Sequence, residues 1–156
     1  MAIRLAVPPD ADNVRKAVHA AYRSWIPRIG KPPGPMLDDY AKRIAGGQVW
    51  VLTDADGIVG ILVLEETPDA LLLDNIAVVP DRHGQGLGRR LLEFAEAEAM
   101  RRGRNEIRLY TNALMAENIT LYTRIGYVET ARVTEKGFDR VYMVKRLGSA
   151  SEPQAG

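Results

Sequence analysis

Apolar positions recur along the chain with helical spacing in some stretches and with strand spacing in others. In the first 45 residues this pattern predicts a strand at Ile3–Ala6 and a helix after Asp10 with apolar residues three and four apart. A loop at Trp25–Pro35 follows, and its four prolines and two glycines predict a stiff segment. A second short helix is predicted at Leu37–Ile44.

The middle of the chain predicts strands. Two β-branched runs flank Asp54–Gly57 in QVWVLTDADGIVGILVLEE, which is typical of a hairpin. The next run, ALLLDNIAVV, is almost continuously apolar, as expected for a buried strand. The remaining predicted elements are a helix at about Gly86–Arg102, a strand at Glu106–Thr111, a helix at Met115–Arg124, and closing strands at Tyr127–Thr134 and Phe138–Arg146. This order predicts a mixed α/β (α+β) domain.

Length and composition are those of one globular domain. The chain has 156 residues, of which 46% are hydrophobic and 26% charged. We expect a single domain over residues 1–147 and a disordered tail over residues 148–156, which are small and polar. The net charge of +1 argues against nucleic-acid or membrane partners. Without a signal-peptide pattern or a bilayer-length apolar run, the protein is expected to be cytoplasmic.

Metal and thiol chemistry have little support in the sequence. The chain contains no cysteine, which excludes disulfides, thiolate ligands and a cysteine nucleophile. Its two histidines, His19 and His83, lie far apart and form no H-E-x-x-H motif. We therefore expect no metal site.

Three alternate glycines, Gly84, Gly86 and Gly88, follow the ALLLDNIAVV run and open the next helix. Such a turn lets backbone N–H groups converge on an anion at the positive end of the helix dipole, and Arg89 and Arg90 add positive charge. The spacing fails the dinucleotide pattern G-x-G-x-x-G, and no P-loop Gly-Lys-Ser/Thr follows. The turn therefore predicts a phosphate site of another type, or else a tight connection without a ligand.

Two runs together resemble a known family. Ile76–Leu92, IAVVPDRHGQGLGRRLL, resembles the acetyl-CoA-binding signature of the GNAT superfamily of N-acetyltransferases, with His83 where Arg or Gln is usual. Asn118–Tyr127, NITLYTRIGY, is similar to the family's later helix, in which a tyrosine stands four residues before a Gly-aromatic pair. Tyr122 fits that position. The order of elements matches the family from Ile3 to Leu147.

The resemblance implies a GNAT-like fold, with a central mixed, mostly antiparallel twisted sheet of six to seven strands flanked by about four helices. It implies that acetyl-CoA is the co-substrate, with its pyrophosphate on the amides of the glycine turn and its pantetheine arm along a splayed strand. The implied cofactor-binding residues are Ile76, Ala77, Val78, His83, Gly84, Gln85, Gly86, Leu87, Gly88, Arg89 and Asn118, with Asn112 as the alternative to Asn118.

The implied reaction is direct attack of an amine on the thioester. By family position Tyr122 is the general acid that protonates the departing thiolate, although a simply packed helix tyrosine is the alternative. A backbone N–H near Val78 is expected to stabilise the oxyanion. Asp74 is the first candidate for the general base, and Glu65 and His19 are the alternatives.

The acceptor is expected to be the primary amine of a small molecule, a peptide or a protein. Its site is expected between the first two helices, their loop and the closing strands, with Tyr22 and Trp25 as substrate-binding residues. Anchoring of the first helix is the alternative role of these aromatics. Arg28, Met36, Asp39 and Tyr40 are further side chains available there. An acyl-CoA sensor without turnover is the competing function, and a homodimer through the closing strands is left open.

Overall fold

A computed structural model describes residues 1–147, so the predicted disordered tail lies outside the described residues. The strands are β1 Ala2–Leu5, β2 Val49–Asp54, β3 Gly57–Glu66, β4 Leu71–Val78, β5 Glu106–Asn112, β6 Val128–Glu135 and β7 Phe138–Arg146. The helices are α1 Ala11–Tyr22, α2 Ile26–Ile29, α3 Tyr40–Ala45, α4 Leu87–Arg101 and α5 Ala116–Ile125. Because α2 is a single turn, four longer helices accompany the sheet, which confirms the predicted mixed α/β fold.

The seven strands follow the order β1-β2-β3-β4-β5-β7-β6 in one sheet. β4 and β5 are parallel, whereas β1–β2, β2–β3, β5–β7 and β6–β7 are antiparallel. The parallel register joins Leu71–Leu73 of β4 to Ile107–Leu109 of β5, and β4 continues to Val78. The predicted mixed, mostly antiparallel sheet is therefore confirmed.

The loop between α1 and α3 is more structured than the sequence predicts. The predicted start of the second helix at Leu37 is wrong, because the helix begins at Tyr40. Asp39 caps it, accepting a hydrogen bond from the Lys42 backbone N–H at 3.1 Å. The preceding residues, Gly34–Leu37, form a separate short 3-10 helix.

The chain forms two compact units, and the first comprises Met1–Leu64 and Asp74–Ala95. Its core is apolar, and the buried members include Val14, Val18, Tyr40, Ile44, Val49, Val51, Ile61, Val63 and Ala77. Gly60 on β3 permits close packing of α4, because a Cβ atom there would lie 3.0 Å from Leu91 Cδ1 and 3.3 Å from Leu52 Cβ.

The second unit comprises Glu65–Leu73 and the chain from Glu96 onward. Its buried side chains include Ile107, Leu109, Met115, Tyr122, Tyr127, Val141 and Met143. Glu98 is 5% exposed and accepts hydrogen bonds from Arg101 and Arg102. β6 lies at the end of the strand order, and its side chains are exposed from Val128 to Thr134. Within residues 1–147, no helix has the length and apolar character needed to cross a membrane.

Candidate active site

The glycine turn lies between the end of β4 and the start of α4. A 3-10 turn at Pro80–Arg82 leads into it, and residues 83–86 are exposed. Gly84 has φ +81° and Gly86 has φ +77°, a left-handed conformation that L side chains rarely adopt. The buried Leu87 and Leu91 then anchor α4. The backbone conformation thus explains two of the three glycines.

The backbone conformation does not require the third glycine, Gly88. Gly88 lies within α4 without a positive φ, and a Cβ atom at Gly84, Gly86 or Gly88 would meet no heavy atom within 4 Å. The Arg90 N–H donates to the Gly86 carbonyl at 3.0 Å, so the N–H groups of residues 87–89 precede the first closed helical turn. Such N–H groups at the N-terminus of a helix suit an anion. The turn therefore fits a pyrophosphate group.

Two side chains, Arg82 and His83, hold the turn in place. Arg82 donates to Asp54 at 3.1 Å and to Asp56 at 2.6 Å, which ties the turn to the β2–β3 hairpin. The Nε2 atom of His83 lies 2.9 Å from the Val78 carbonyl oxygen. The Arg82 charge is thus paired with hairpin carboxylates.

Arg89 lies on the first turn of α4. Its side chain is 65% exposed, and its Nε atom lies 3.6 Å from the Glu93 carboxylate.

The end of β4 presents one backbone edge away from β3. The Val79 N–H donates to the Val59 carbonyl at 3.0 Å, so this end of the strand pairs with β3. Since alternate residues of a strand direct their backbone groups to opposite edges, those of Ile76 and Val78 point to the other edge. Side chains reach both carbonyls there: the Tyr22 hydroxyl lies 3.0 Å from the Ile76 oxygen, and His83 contacts Val78.

Asp74 belongs to a group of charges beside α3. Its carboxylate lies 3.2 Å from Arg43 Nη2, and Arg43 also donates to Asp38 at 2.9 Å and to Gln48 at 2.9 Å. The Asp74 side chain is 11% exposed. Arg43 thus keeps two carboxylates, one on β4 and one before α3, in a single ion-pair network.

A chain of hydrogen bonds surrounds Asn75, the next residue on β4. Its Oδ1 atom accepts from the Tyr22 hydroxyl at 2.5 Å, and its Nδ2 atom donates to the Tyr40 hydroxyl at 3.1 Å. Tyr40 in turn donates to the Pro35 carbonyl at 2.5 Å. Burial, followed by the nearby Asp38 and Asp74 carboxylates, raises the pKa of Tyr40 above its usual range.

Tyr122 occupies α5 in the second unit. It is 6% exposed, and its ring packs edge-on against Tyr127 at 5.8 Å between centroids. Burial raises the pKa of Tyr122, so the phenol holds its proton through neutral pH. The Tyr127 hydroxyl is buried without a hydrogen-bond partner within residues 1–147.

The predicted asparagines have local partners. Asn118 Nδ2 lies 3.4 Å from the Met115 sulfur atom, whereas Asn112 Oδ1 accepts from the Leu114 N–H at 2.9 Å. Asn112 is therefore used in the turn before α5. Asn118 is half-buried and belongs to the second unit, which also contains the buried Tyr122.

The structure brings several predicted residues together within the first unit. Tyr22 contacts the β4 backbone, but Trp25 is half-buried with the Arg28 guanidinium 4.4 Å above its ring. The alternative base His19 is exposed on α1, and Glu65 lies in the second unit. Among residues 1–147, no group of His, Asp and Glu side chains is arranged to hold a metal ion.

Sequence reasoning did not assign a role to Asn75 or Arg43. An asparagine inside an apolar run was the available signal, since a buried amide needs partners. Its partners lie on three other segments, so only the tertiary structure identifies them.

Comparisons with known proteins agree with the geometry. The acetyltransferase (GNAT) domain family matches residues 45–129, more than half of the chain. The [ribosomal protein bS18]-alanine N-acetyltransferase of Escherichia coli K12 is 37% identical over 78 residues, which are 50% of this chain and 53% of the relative. The match therefore spans about half the length of that curated relative.

Solved structures show the same fold. The ribosomal-protein-S18-alanine N-acetyltransferase from Escherichia coli has a TM-score of 0.73 at 24% identity, covering 99% of this chain and 97% of that one. The PaiA N-acetyltransferase from Thermoplasma acidophilum, solved in complex with coenzyme A, has a TM-score of 0.72 at 16% identity, covering 93% and 98%. At these identities the likeness concerns the fold. Together with the family match, these findings show that the chain belongs to the GNAT acetyltransferase family.

Proposed function

We propose that the protein is an N-acetyltransferase that moves the acetyl group of acetyl-CoA to a primary amine. The observation that carries the proposal is the glycine turn, whose exposed residues 83–86 lead directly into the first N–H groups of α4. The Thermoplasma relative in the same fold is a complex with coenzyme A, which supports the same ligand here.

The cofactor contacts follow from the backbone. We assign the pyrophosphate to the N–H groups of residues 84–89, with Arg89 as the nearby cation. We assign the pantetheine amides to the edge of β4 that carries the N–H groups of Ile76 and Val78. Ala77 faces the core with 8% exposure, so its contribution is structural packing under that edge.

Acetyl-CoA supplies a thioester whose carbonyl carbon accepts the amine and whose sulfur leaves as a thiolate. In our assignment the Val78 N–H donates to the carbonyl oxygen as negative charge develops there. Tyr122 donates its phenolic proton to the sulfur, and its buried, protonated state suits that role. Asp74 accepts one proton from the acceptor ammonium, and the neutral amine that results attacks the carbonyl carbon. The proton that the nitrogen loses after the attack restores the Tyr122 phenol.

The acceptor proposal comes from the curated relative, whose name describes alanine acetylation on a ribosomal protein. We propose a peptide or protein amine as acceptor and take a free N-terminal alanine as the first probe. Tyr22 and Trp25 remain the proposed acceptor-binding aromatics. Tyr22 already lies 3.0 Å from the β4 backbone, on the strand that we assign to the cofactor.

A transfer assay tests this proposal. Short peptides with a free N-terminal alanine are incubated with acetyl-CoA, and released CoA is measured with a thiol reagent. The chain contains no cysteine, so the reagent reports CoA alone. Matched peptides with an acetylated N-terminus serve as the control. Saturable acetyl-CoA binding without transfer to any amine in a broad panel would instead support the sensor function.

We also propose that the exposed edge strand β6 pairs with a second copy of the chain. Val128 and Val133 are 66% and 42% exposed on this strand, and an edge strand offers unpaired backbone groups. Sedimentation velocity should show a dimer that Val128→Lys weakens. A monomer at all concentrations would remove this proposal without affecting the enzymatic one.

A further inference from the structure

We propose that Asn75 is a positioning residue for the acceptor side of the site, holding the segment Gly34–Leu37 through Tyr40 and the end of α1 through Tyr22. This inference rests on the proposed acetyl transfer, because it assigns to that segment the placement of the amine. It concerns only residues of the first unit.

The hydrogen bonds join four separate segments. Tyr22 is the last residue of α1, Asn75 lies within β4, Tyr40 opens α3, and Pro35 lies in the short 3-10 helix. The three contacts measure 2.5, 3.1 and 2.5 Å in that order. The oxygen and the nitrogen of the Asn75 amide are both hydrogen-bonded, so Asn75 links β4 directly to α1 and α3, and Tyr40 extends the link to the 3-10 helix.

The chemistry of the groups fixes the direction of each proton. A carbonyl only accepts, so the single Tyr40 hydroxyl proton goes to Pro35. The Tyr40 oxygen must then accept from Asn75 Nδ2, which orients the amide and turns its Oδ1 atom to Tyr22. Tyr22 is therefore the donor to Asn75. All the hydrogen bonds in this series therefore donate in a fixed direction, and none of them can exchange donor and acceptor alone.

Because this series of hydrogen bonds is buried, the loss of one partner leaves a polar group unsatisfied. Asn75 is 4% exposed and Tyr40 is 1% exposed, so water does not readily replace a lost partner. The raised pKa of Tyr40 keeps its hydroxyl protonated, which maintains the donor to Pro35. The Asp38–Arg43–Asp74 ion pairs join two of these segments, α3 and β4, a second time.

The held segment has an inward and an outward side. Met36 packs against the core of the first unit, whereas Leu37 is 68% exposed. The Met36 N–H donates to the Pro33 carbonyl at 3.0 Å. Tyr40 thus holds Pro35 on the buried side of the segment, while Leu37 faces outward. At the other end of the hydrogen-bond series, the Tyr22 hydroxyl lies 3.0 Å from the Ile76 carbonyl oxygen, on the strand proposed to bind acetyl-CoA.

Tyr40→Phe is the sharpest test, because it removes one hydroxyl and keeps the ring that fills the core. With an N-terminal alanine peptide as acceptor, we expect the acceptor KM to rise about tenfold through misplacement of the segment. The Kd for acetyl-CoA, measured by calorimetry, should stay within about twofold, because the turn at residues 83–88 is untouched. Asn75→Leu should act in the same direction and also disturb the Tyr22 contact.

Val63→Ala is the matched control for stability, since Val63 is buried in the same core without a side-chain polar group. It should lower Tm and leave the acceptor KM unchanged. If Tyr40→Phe behaves like this control, the chain is only structural and the inference is wrong.

Hydrogen exchange gives a readout that needs no acceptor. In Tyr40→Phe, backbone amides in residues 34–37 should exchange faster, whereas those of residues 84–88 should be unchanged. Unchanged exchange in residues 34–37 overturns the inference whatever the enzyme does. A wild-type protein that binds no acetyl-CoA overturns the proposed function, and the exchange result then still decides whether Tyr40 holds the loop.

Discussion

The Nε2 atom of His83 lies 2.9 Å from the carbonyl oxygen of Val78, which folds the glycine turn back onto the end of β4. Because a carbonyl only accepts, His83 donates from Nε2 in this contact. The position at which this chain differs from the pattern usual in its family therefore supports the turn through a side-chain donor.

His83→Ala should weaken acetyl-CoA binding about fivefold, the effect of losing one hydrogen bond of about 1 kcal/mol that orders the turn. His83→Gln carries an amide donor and should recover most of the affinity. Titration calorimetry of the three proteins measures this. Equal affinities throughout would show that the contact does not matter for the ligand.

Gly88→Ala separates stability from binding. Alanine favours a helix over glycine by about 0.5–1 kcal/mol, so the variant should melt at the same temperature as the wild type or higher. The added methyl group would contact no other protein atom within 4 Å, and we expect it to enter the proposed pyrophosphate site and weaken acetyl-CoA binding at least about tenfold. A stable variant with wild-type affinity would place the ligand elsewhere.

Gly86→Ala and Gly47→Ala form a matched pair. Both glycines have a positive φ, +77° and +70°, and a Cβ atom at either would meet no heavy atom within 4 Å. Alanine should therefore lower the free energy of unfolding of each variant by about 1 kcal/mol. Only Gly86→Ala should lower acetyl-CoA affinity, since Gly47 lies between α3 and β2. Thermal melts with and without acetyl-CoA compare the two variants. Equal loss of affinity in both would point to a general effect of strain.

Tyr122→Phe should lower kcat by about 10²- to 10⁴-fold, the usual contribution of a general acid, while the Kd for acetyl-CoA stays unchanged. Burial raises the pKa of Tyr122, so no loss of rate from its ionisation is expected below the ordinary tyrosine pKa of about 10. Stopped-flow rates across pH check both points. Wild-type turnover in the variant would remove Tyr122 from the chemistry.

The free energy of unfolding should fall at acid pH because of Glu98. Hydrogen bonds from Arg101 and then Arg102 lower the pKa of Glu98 in the folded state. A carboxyl group with a lowered folded pKa stabilises the fold above its unfolded pKa of about 4.3, and this contribution disappears as pH falls through the folded value.

Glu98→Gln should therefore be less stable than the wild type by about 1–3 kcal/mol at pH 7. The difference should shrink below about pH 4, as the wild-type carboxyl protonates. Urea unfolding at both pH values measures it. A difference that is constant with pH would mean that Glu98 acts by packing rather than by charge.

Local patterns in the sequence were sufficient for most elements. The hairpin turn at Asp54–Gly57 and the β-branched runs beside it gave β2 and β3 close to their observed bounds. The glycine turn was recognisable because its backbone conformation needs glycine. The start of α3 was missed because Leu37 continues the apolar spacing, while the cap at Asp39 decides where the helix begins.

Tertiary contacts explain what the sequence left undecided. Asp74 and Asn75 stand out as polar residues in an apolar run, but Arg43 and Tyr40 become their partners only when α3 packs beside β4. The end of the parallel register at Leu73 likewise depends on strand pairing rather than on local spacing.

A thermal-shift titration with acetyl-CoA tests the central claim most directly, with CoA, NAD and ATP as comparison ligands. A ligand at about a hundred times its Kd stabilises the fold by roughly 2.7 kcal/mol, which is readily measured as a rise in Tm. We expect acetyl-CoA and CoA to raise Tm and NAD and ATP to leave it unchanged. No shift with acetyl-CoA at millimolar concentration would contradict the acetyl-CoA site at the glycine turn and, with it, the proposed acetyl transfer.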